Sequence, residues 1–309
     1  MSGAARRVRV GAALALASVT ALGALCGGCT AIRPTVPGVP PPSAPPFSHA
    51  LLDRVLARHV DDRGLVDYAA LAREPDDLER YYALLAAVSP DSHPDLFPTR
   101  DDRLAYWINA YNAAVLVTVL RHYPIPSVTA LRTPFPLSLA SDKIGFFLLQ
   151  RITLGGETTS LYALENSLIR PRFREPRVHF ALNCASLGCP RLPRRAFAAD
   201  ELERQLDDET RRFFAEERNL RIDHAARVVS LSSLLDWYDG DFTGWLEERY
   251  PGKDATLLDY VALYVTPERR AELERARGYE IRFVPYDWGL NDQARADASA
   301  GTAPTSPSR

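Results

Sequence analysis

At 309 residues, 46% hydrophobic and 25% charged, the chain has the composition of an ordinary globular protein, which excludes a wholly disordered one and allows one large core or two small ones. Its 37 basic and 39 acidic residues leave a net charge of -2. No long-range field therefore draws nucleic acid or an anionic membrane to it, and partners have to be read from local sites.

In chain order, Arg6, Arg7 and Arg9 precede the small and apolar run VGAALALASVTALGALCGGCT. A basic start, a short apolar centre and a small-residue end match an export signal, and the run is short for a membrane-spanning helix. Gly27 and Gly28 suit cleavage before Cys29 with lipid attached to its thiol, as in bacterial lipoproteins, although the leucine lies one place further from Cys29 than that pattern wants. An uncleaved signal anchor is the alternative. The expectation is a signal over residues 1–29 and a chain exported to the cell envelope, held by lipid on Cys29 and facing the periplasm. Membrane contact is expected through that anchor alone. Residues 30–46, TAIRPTVPGVPPPSAPP, are proline-rich and read as an extended tether, whereas residues 294–309 are too poor in large apolar side chains to order themselves.

The folded part is expected over residues 47–293. Leu51, Leu52, Val55 and Leu56, and then Leu78, Tyr81, Tyr82 and Leu85, follow helical spacing and predict two amphipathic helices. The run DDRLAYWINAYNAAVLVTVLRHYP predicts a central buried helix capped by Asp101 or Asp102 and stopped before Pro124. KIGFFLLQRITLGGETTS predicts a hairpin turning at Gly155 and Gly156, with a helix through LYALENSLIR after it. RVHFALN predicts a short buried strand, with Val178, Phe180 and Leu182 on one face and His179, Ala181 and Asn183 on the other. A charged helix from Asp200 to Glu217, a second hairpin in LRIDHAARVVSLSS, a helix capped by Ser232 or Ser233, and a helix opened by Thr266 and Pro267 follow. YEIRFVPYDWGL closes the fold as a strand. The class is α+β, a helix-rich single domain with a small, mainly antiparallel sheet.

Four stretches, AYWINAYNAAVL, HFALNCASLGCPRL, SLLDWYDGDF and YDWGLN, occur in that order. Together they resemble the Domain of Unknown Function 547 family over about Phe47 to Asn291. The resemblance implies correspondence of His179, Cys184, Ser186 and Cys189, of Glu165 in the preceding helix, and of Trp107, Asn109 and Asn112 with the family's pattern. The family carries no assigned function, so the chemistry has to come from the residues.

Two readings of Cys184 and Cys189 stand side by side. In an oxidising compartment, cysteines flanking a tight loop form a disulfide, worth about 2 kcal/mol for so short a loop. That favours a non-catalytic envelope binding or scaffold module. Alternatively, Cys184 or Cys189 is a thiol nucleophile with His179 as base, Glu165 as the group orienting the histidine, and amides of Ala185 to Leu187 as oxyanion donors. That would make a thiol-dependent hydrolase or acyl transferase acting on an amide or ester of a small-molecule or envelope substrate. A strand over 179–184, at roughly 3.3 Å per residue, would place the α-carbons of His179 and Cys184 about 16 Å apart, so the enzyme needs a bend after Leu182 or a turn that returns Cys189. Zinc on His179, Cys184 and Cys189 lacks the usual ligand spacing, and Asp236, Asp239 and Asp241 lack the later glutamate of a calcium loop, so no metal site is expected. Asn109 and Asn112 are candidates either for holding a substrate or for tying a buried helix to its loops. Phosphate-cradling and dinucleotide motifs are missing, and no cofactor is expected.

Overall fold

The computed structural model describes residues 29–37, 40, 44–252 and 254–295. The segment expected as an export signal, apart from Cys29, part of the proline-rich segment and nearly all of the tail lie outside the described residues.

The fold is α+β and helix-rich, but its strands divide between two three-stranded sheets. In chain order the elements are β1 (Thr30–Ala31), α1 (Ala50–His59), α2 (Tyr68–Arg73), α3 (Asp76–Ala87), α4 (Arg100–His122), α5 (Ile144–Phe147), β2 (Gln150–Leu154), β3 (Glu157–Ser160), α6 (Leu161–Ala163), α7 (Arg170–Phe173), α8 (Leu202–Ala215), β4 (Leu220–Asp223), β5 (Val228–Ser232), α9 (Ser233–Trp237), α10 (Asp239–Arg249), α11 (Leu257–Val261), α12 (Pro267–Arg275) and β6 (Glu280–Val284).

α4 is the central buried helix, and every residue from Leu104 to Val119 is buried. Its cap is Thr99 rather than Asp101 or Asp102: the Thr99 hydroxyl accepts the Asp102 N–H at 3.0 Å and the Asp102 carboxylate accepts the Thr99 N–H at 3.0 Å. The reciprocal pair satisfies two end groups that a lone aspartate could not. Helices α1 to α3 cover one side of α4, and the buried Glu79 carboxylate of α3 receives Arg121 at 2.6 and 2.8 Å near the end of α4. Among the described residues no helix is long and apolar enough to cross a membrane.

In the first sheet β2 and β3 form the expected hairpin, with Gly155 and Gly156 both at positive φ (58° and 87°) as a tight turn requires. The apolar stretch before it is the short helix α5, not strand. β1 pairs in parallel with β2, Thr30 opposite Gln150, so the proline-rich segment begins docked on the fold. In the second sheet β4 and β5 are antiparallel, and β6 lies parallel to β5. Each sheet thus holds one antiparallel and one parallel pairing, because residues from the chain's two ends add beside the local hairpins.

The expected strand RVHFALN is absent. Pro176 to Phe180 form a 3-10 turn, capped by Glu175 accepting the Arg177 N–H. Both the Ala181 and Leu182 N–H groups fold back on the Val178 carbonyl at 2.9 Å. A short apolar run buried on all sides has no period that separates strand from turn. Val178 and Leu182 enter the core around α4, whereas Phe180 enters a second core with Phe213, Phe214, Phe242 and Tyr260. The segment therefore lies along the seam between two cores. Ser232, not Ser233, caps α9, and Thr266 caps α12 as expected.

Asn109 and Asn112 are spent on backbone. Asn109 donates to the Phe197 carbonyl at 2.8 Å and accepts its N–H at 2.9 Å. Asn112 does the same to the Ala181 carbonyl and the Asn183 N–H, both at 2.9 Å. Replacing Asn112 with Ala leaves two buried backbone groups unpaired, and chemical denaturation should show a loss of about 2 to 4 kcal/mol.

Candidate functional site

A cavity of about 540 Å³ opens on the seam, and His179, Cys184, Cys189, Glu165, Tyr111, Tyr238, Tyr286, Trp237, Trp288 and Lys143 are among its lining residues. The turn at 181–183 brings His179 and Cys184 to one cavity, where an extended strand would have kept them apart.

Cys184 and Cys189 are joined as a disulfide with α-carbons 6.2 Å apart. Between them Ala185 takes φ +60°, a left-handed conformation that side chains disfavour. The loop is pinned at several points. Leu187 N–H donates to the Gly289 carbonyl and Gly188 N–H to the Asp287 carbonyl, both at 2.8 Å, while Asn291 N–H reaches the Ala185 carbonyl at 3.2 Å. A β-carbon on Gly188 would lie 2.9 Å from the Asp287 nitrogen, so only glycine allows this approach. The segment after β6, expected as continuing strand, is the loop that supplies these contacts. The Ala185 N–H is taken by the Asn183 side chain at 2.9 Å. With the Leu187 N–H also engaged, two of the three amides that the sequence suggested as oxyanion donors are already taken.

The Tyr286 hydroxyl stands 3.0 Å from the Cys184 sulfur and donates to the Cys189 sulfur at 3.1 Å, and the Cys184 N–H also points at the Cys189 sulfur at 2.8 Å. These donors would stabilise a thiolate at Cys189 on reduction. Cys184 is the more exposed residue of the pair.

His179 is oriented by Asp241, not by Glu165. Its Nε2 lies 2.7 Å from Asp241 Oδ2, its ring stacks on Tyr238 with centroids 3.8 Å apart, and Phe242 meets it edge-on. A carboxylate only accepts, so the neutral ring carries its proton on Nε2. Nδ1 has no protein hydrogen bond among the described residues, and His179 is one of the residues that line the cavity. Arg170 clamps the same carboxylate at 2.7 and 3.0 Å and lies 4.7 Å over the Tyr238 ring. Burial pushes the Asp241 pKa up, but hydrogen bonds and charge from His179 and Arg170 outweigh it and hold the carboxyl well below the usual range.

Glu165 lies instead in a π-helical turn, Leu164–Ile169, between α6 and α7. Such turns recur at functional sites because they re-aim side chains. Its carboxylate accepts the Tyr238 hydroxyl at 2.5 Å and the Tyr111 hydroxyl at 3.3 Å. Burial above all, then the Glu165 charge, raises the pKa of both phenols, so they remain donors. Burial raises that of Tyr286 as well. Glu165 and His179 thus share Tyr238, one through its hydroxyl and the other through its face.

Asp236, Asp239 and Asp241 are not gathered at one point: the first two are exposed, and Asp241 is committed to His179 and Arg170. Among the described residues no group of three or more acidic, histidine or cysteine side chains could hold a metal ion. Asp241, Tyr238, Tyr286, Tyr111 and Arg170 are the site residues that sequence reasoning missed. The first three stand in or beside the stretches SLLDWYDGDF and YDWGLN, whose pattern was visible but whose partners were not.

Residues 96–214 match the family model described as Protein of unknown function, DUF547. The matched residues contain His179, both cavity cysteines, Glu165 and the two asparagines; Asp241, Tyr238 and Tyr286 lie beyond them. No curated protein and no solved structure matches the chain.

The depressed carboxyl of Asp241 fixes the sign of one pH effect. Its contribution to stability is complete above the unfolded value of about 3.9 and is lost as pH falls below it, since the unfolded state then binds the proton first. In an Asp241→Asn variant, stability measured by denaturation should therefore fall less steeply below about pH 4 than in the parent.

Proposed function

We propose that the cavity is the centre of a thiol-dependent hydrolase or acyl transferase of the cell envelope, latent while Cys184 and Cys189 are joined. The observation that carries this reading is the histidine: Asp241 holds Nε2 and leaves Nδ1 without a protein partner among the described residues, in a residue that lines the same cavity as Cys184. An imidazole oriented by an acid behind it, and a sulfur on the same cavity, are the parts that acyl transfer through a thioester requires.

A dithiol reductant first opens the disulfide, taking two electrons from its own thiols, becoming a disulfide, and leaving both cysteines as thiols. His179 Nδ1 then removes the Cys184 proton, directly or through one water, as sulfur attacks the carbonyl of an amide or ester. The departing amine or alcohol takes that proton. Water or an acceptor then attacks the thioester, and the thiol is restored. Tyr111, Tyr238 and Tyr286 are protonated donors on the wall, and the apolar and aromatic side chains exclude water from the reacting carbonyl.

Placement in the envelope is supported by the basic start and apolar run of residues 6–29, with Cys29 as the lipid-bearing residue. A second reading has its own observation: the sulfurs are joined, and no hydrogen bond connects His179 to either of them. In that reading the protein is a binding module whose disulfide fixes one wall of the cavity.

Intact-mass spectrometry of the unreduced and dithiothreitol-reduced chain, each with and without iodoacetamide, establishes the state of the sulfurs. Activity is then followed on p-nitrophenyl acyl esters. The enzyme reading expects turnover only after reduction, loss of it in Cys184→Ser, and a fall of about 10²- to 10⁴-fold in His179→Gln with little change in melting temperature. No turnover in the reduced chain, together with a loss of about 2 kcal/mol of stability in Cys184→Ser, would establish the binding module instead.

A further inference from the structure

The two most exposed large apolar side chains among the described residues lie on one segment. Phe135 and Leu139 are each 78% exposed and Leu137 is 44% exposed, and every residue from 135 to 140 is exposed. Isolated surface leucines need no explanation, but a contiguous projecting set does.

The segment is built rather than loose. Thr133 Oγ1 donates to the Asp142 carbonyl at 3.0 Å and accepts the Gly145 N–H at 2.8 Å, closing the neck of the loop. Gly145 packs so tightly there that a β-carbon would lie 2.2 Å from the Leu131 carbonyl oxygen. Immediately beyond the neck, Lys143, Ile144, Phe147 and Leu148 line the cavity that holds His179 and the cysteines. The apolar tip is therefore carried on a neck that runs straight into the cavity wall. Arg132 and Lys143 flank it, and neither forms an ion pair among the described residues. Lys143 lies over the rings of Trp288 and Trp237 at 4.3 and 5.1 Å.

The chain's N-terminal side leads to the same place. Thr30 N–H donates to the Leu149 carbonyl at 3.0 Å, and Ile32 N–H to the Arg151 carbonyl at 2.7 Å. Cys29 is thus fixed beside Leu149, one residue after the exposed rim residue Leu148. The basic and apolar run of residues 6–29 ends there. Whether that run is retained or replaced by lipid on Cys29, the attachment meets the fold at this rim. The proline-rich segment follows β1 and provides no spacer between them.

We propose that the face formed by Phe135, Leu137, Leu139 and Leu148 docks on a phospholipid bilayer, Arg132 and Lys143 meeting its anionic headgroups, so that the mouth of the cavity is held at the lipid surface. Protein side chains, and not only an anchor, then contact the membrane. Interfacial segments elsewhere use the same combination of apolar side chains and flanking cations. The docking is independent of the thiol chemistry and is read without any turnover assay.

The test uses the full chain reconstituted in phosphatidylcholine–phosphatidylglycerol vesicles whose acyl chains carry bromine, with Phe135→Trp, Leu139→Trp or, as control, Leu263→Trp between α11 and α12. The expected result is that the emission added at 135 and 139 is quenched by bromine and shielded from aqueous acrylamide, while that added at 263 is neither. A Phe135→Ser/Leu139→Ser chain, altered only at exposed positions, should stay anchored and lose bromine quenching of Trp237. Equal acrylamide quenching at 135, 139 and 263 in the vesicle-bound chain overturns the proposal. Shielding without bromine quenching, rising with protein concentration, also overturns it and assigns the face to a second copy of the chain.

Discussion

The site depends on one amide. Asn112, in the middle of a buried helix, donates to the Ala181 carbonyl and accepts the Asn183 N–H, and so takes up the two backbone groups that a turn at 182 leaves without partners. Without it, the chain between His179 and Cys184 would have to find ladder partners or carry unpaired polar groups in a core, at a cost of about 1 to 3 kcal/mol each. With it, the chain folds back on Val178, and histidine and sulfur reach the same cavity. Asn109 ties the Phe197 loop to the same helix by the same reciprocal pattern. α4 is therefore both the centre of the larger core and the frame on which the seam is built.

Around that frame the half-buried charges of the site, Asp241, Arg170 and Glu165, are each paired. Asp241 carries His179 on one oxygen and Arg170 across both, and Arg170 in turn lies over Tyr238. Glu165 is held by Tyr238 and Tyr111. Removing one member of such a network leaves another charged and unpaired, which is why these side chains fix one another's positions more firmly than any pair would alone. The consequence for chemistry is a histidine with a defined tautomer beside a sulfur pair whose reactivity is set by its oxidation state.

Several elements were legible because they are local. The buried helix, both glycine- or loop-turned hairpins, the Ser232 and Thr266 caps and the α+β class follow from periodicity and end signals carried by neighbouring residues. The cysteine pairing was one of two open readings, and the oxidised loop is what the structure contains. The strand expected over RVHFALN failed because a run packed against two cores at once shows no alternation to read. Glu165 was placed as the group orienting His179 because it stood in the family pattern, but Tyr238 lies between the two, and Asp241, some sixty residues further on, takes the role. The cap of α4 was displaced to Thr99 because a reciprocal pair with Asp102 satisfies more end groups than either aspartate alone.

The sequence by itself determined the elements whose hydrogen bonds close within a few residues, and it carries the match of residues 96–214 to a family model. Only the tertiary structure decided which side chains meet. The parallel additions of β1 and β6, the seam between the cores, the partner of His179 and the apolar rim beside Cys29 all join residues far apart in the chain. Such contacts form where packing makes them cheaper than solvation, and a list of neighbours along the chain carries no record of that competition.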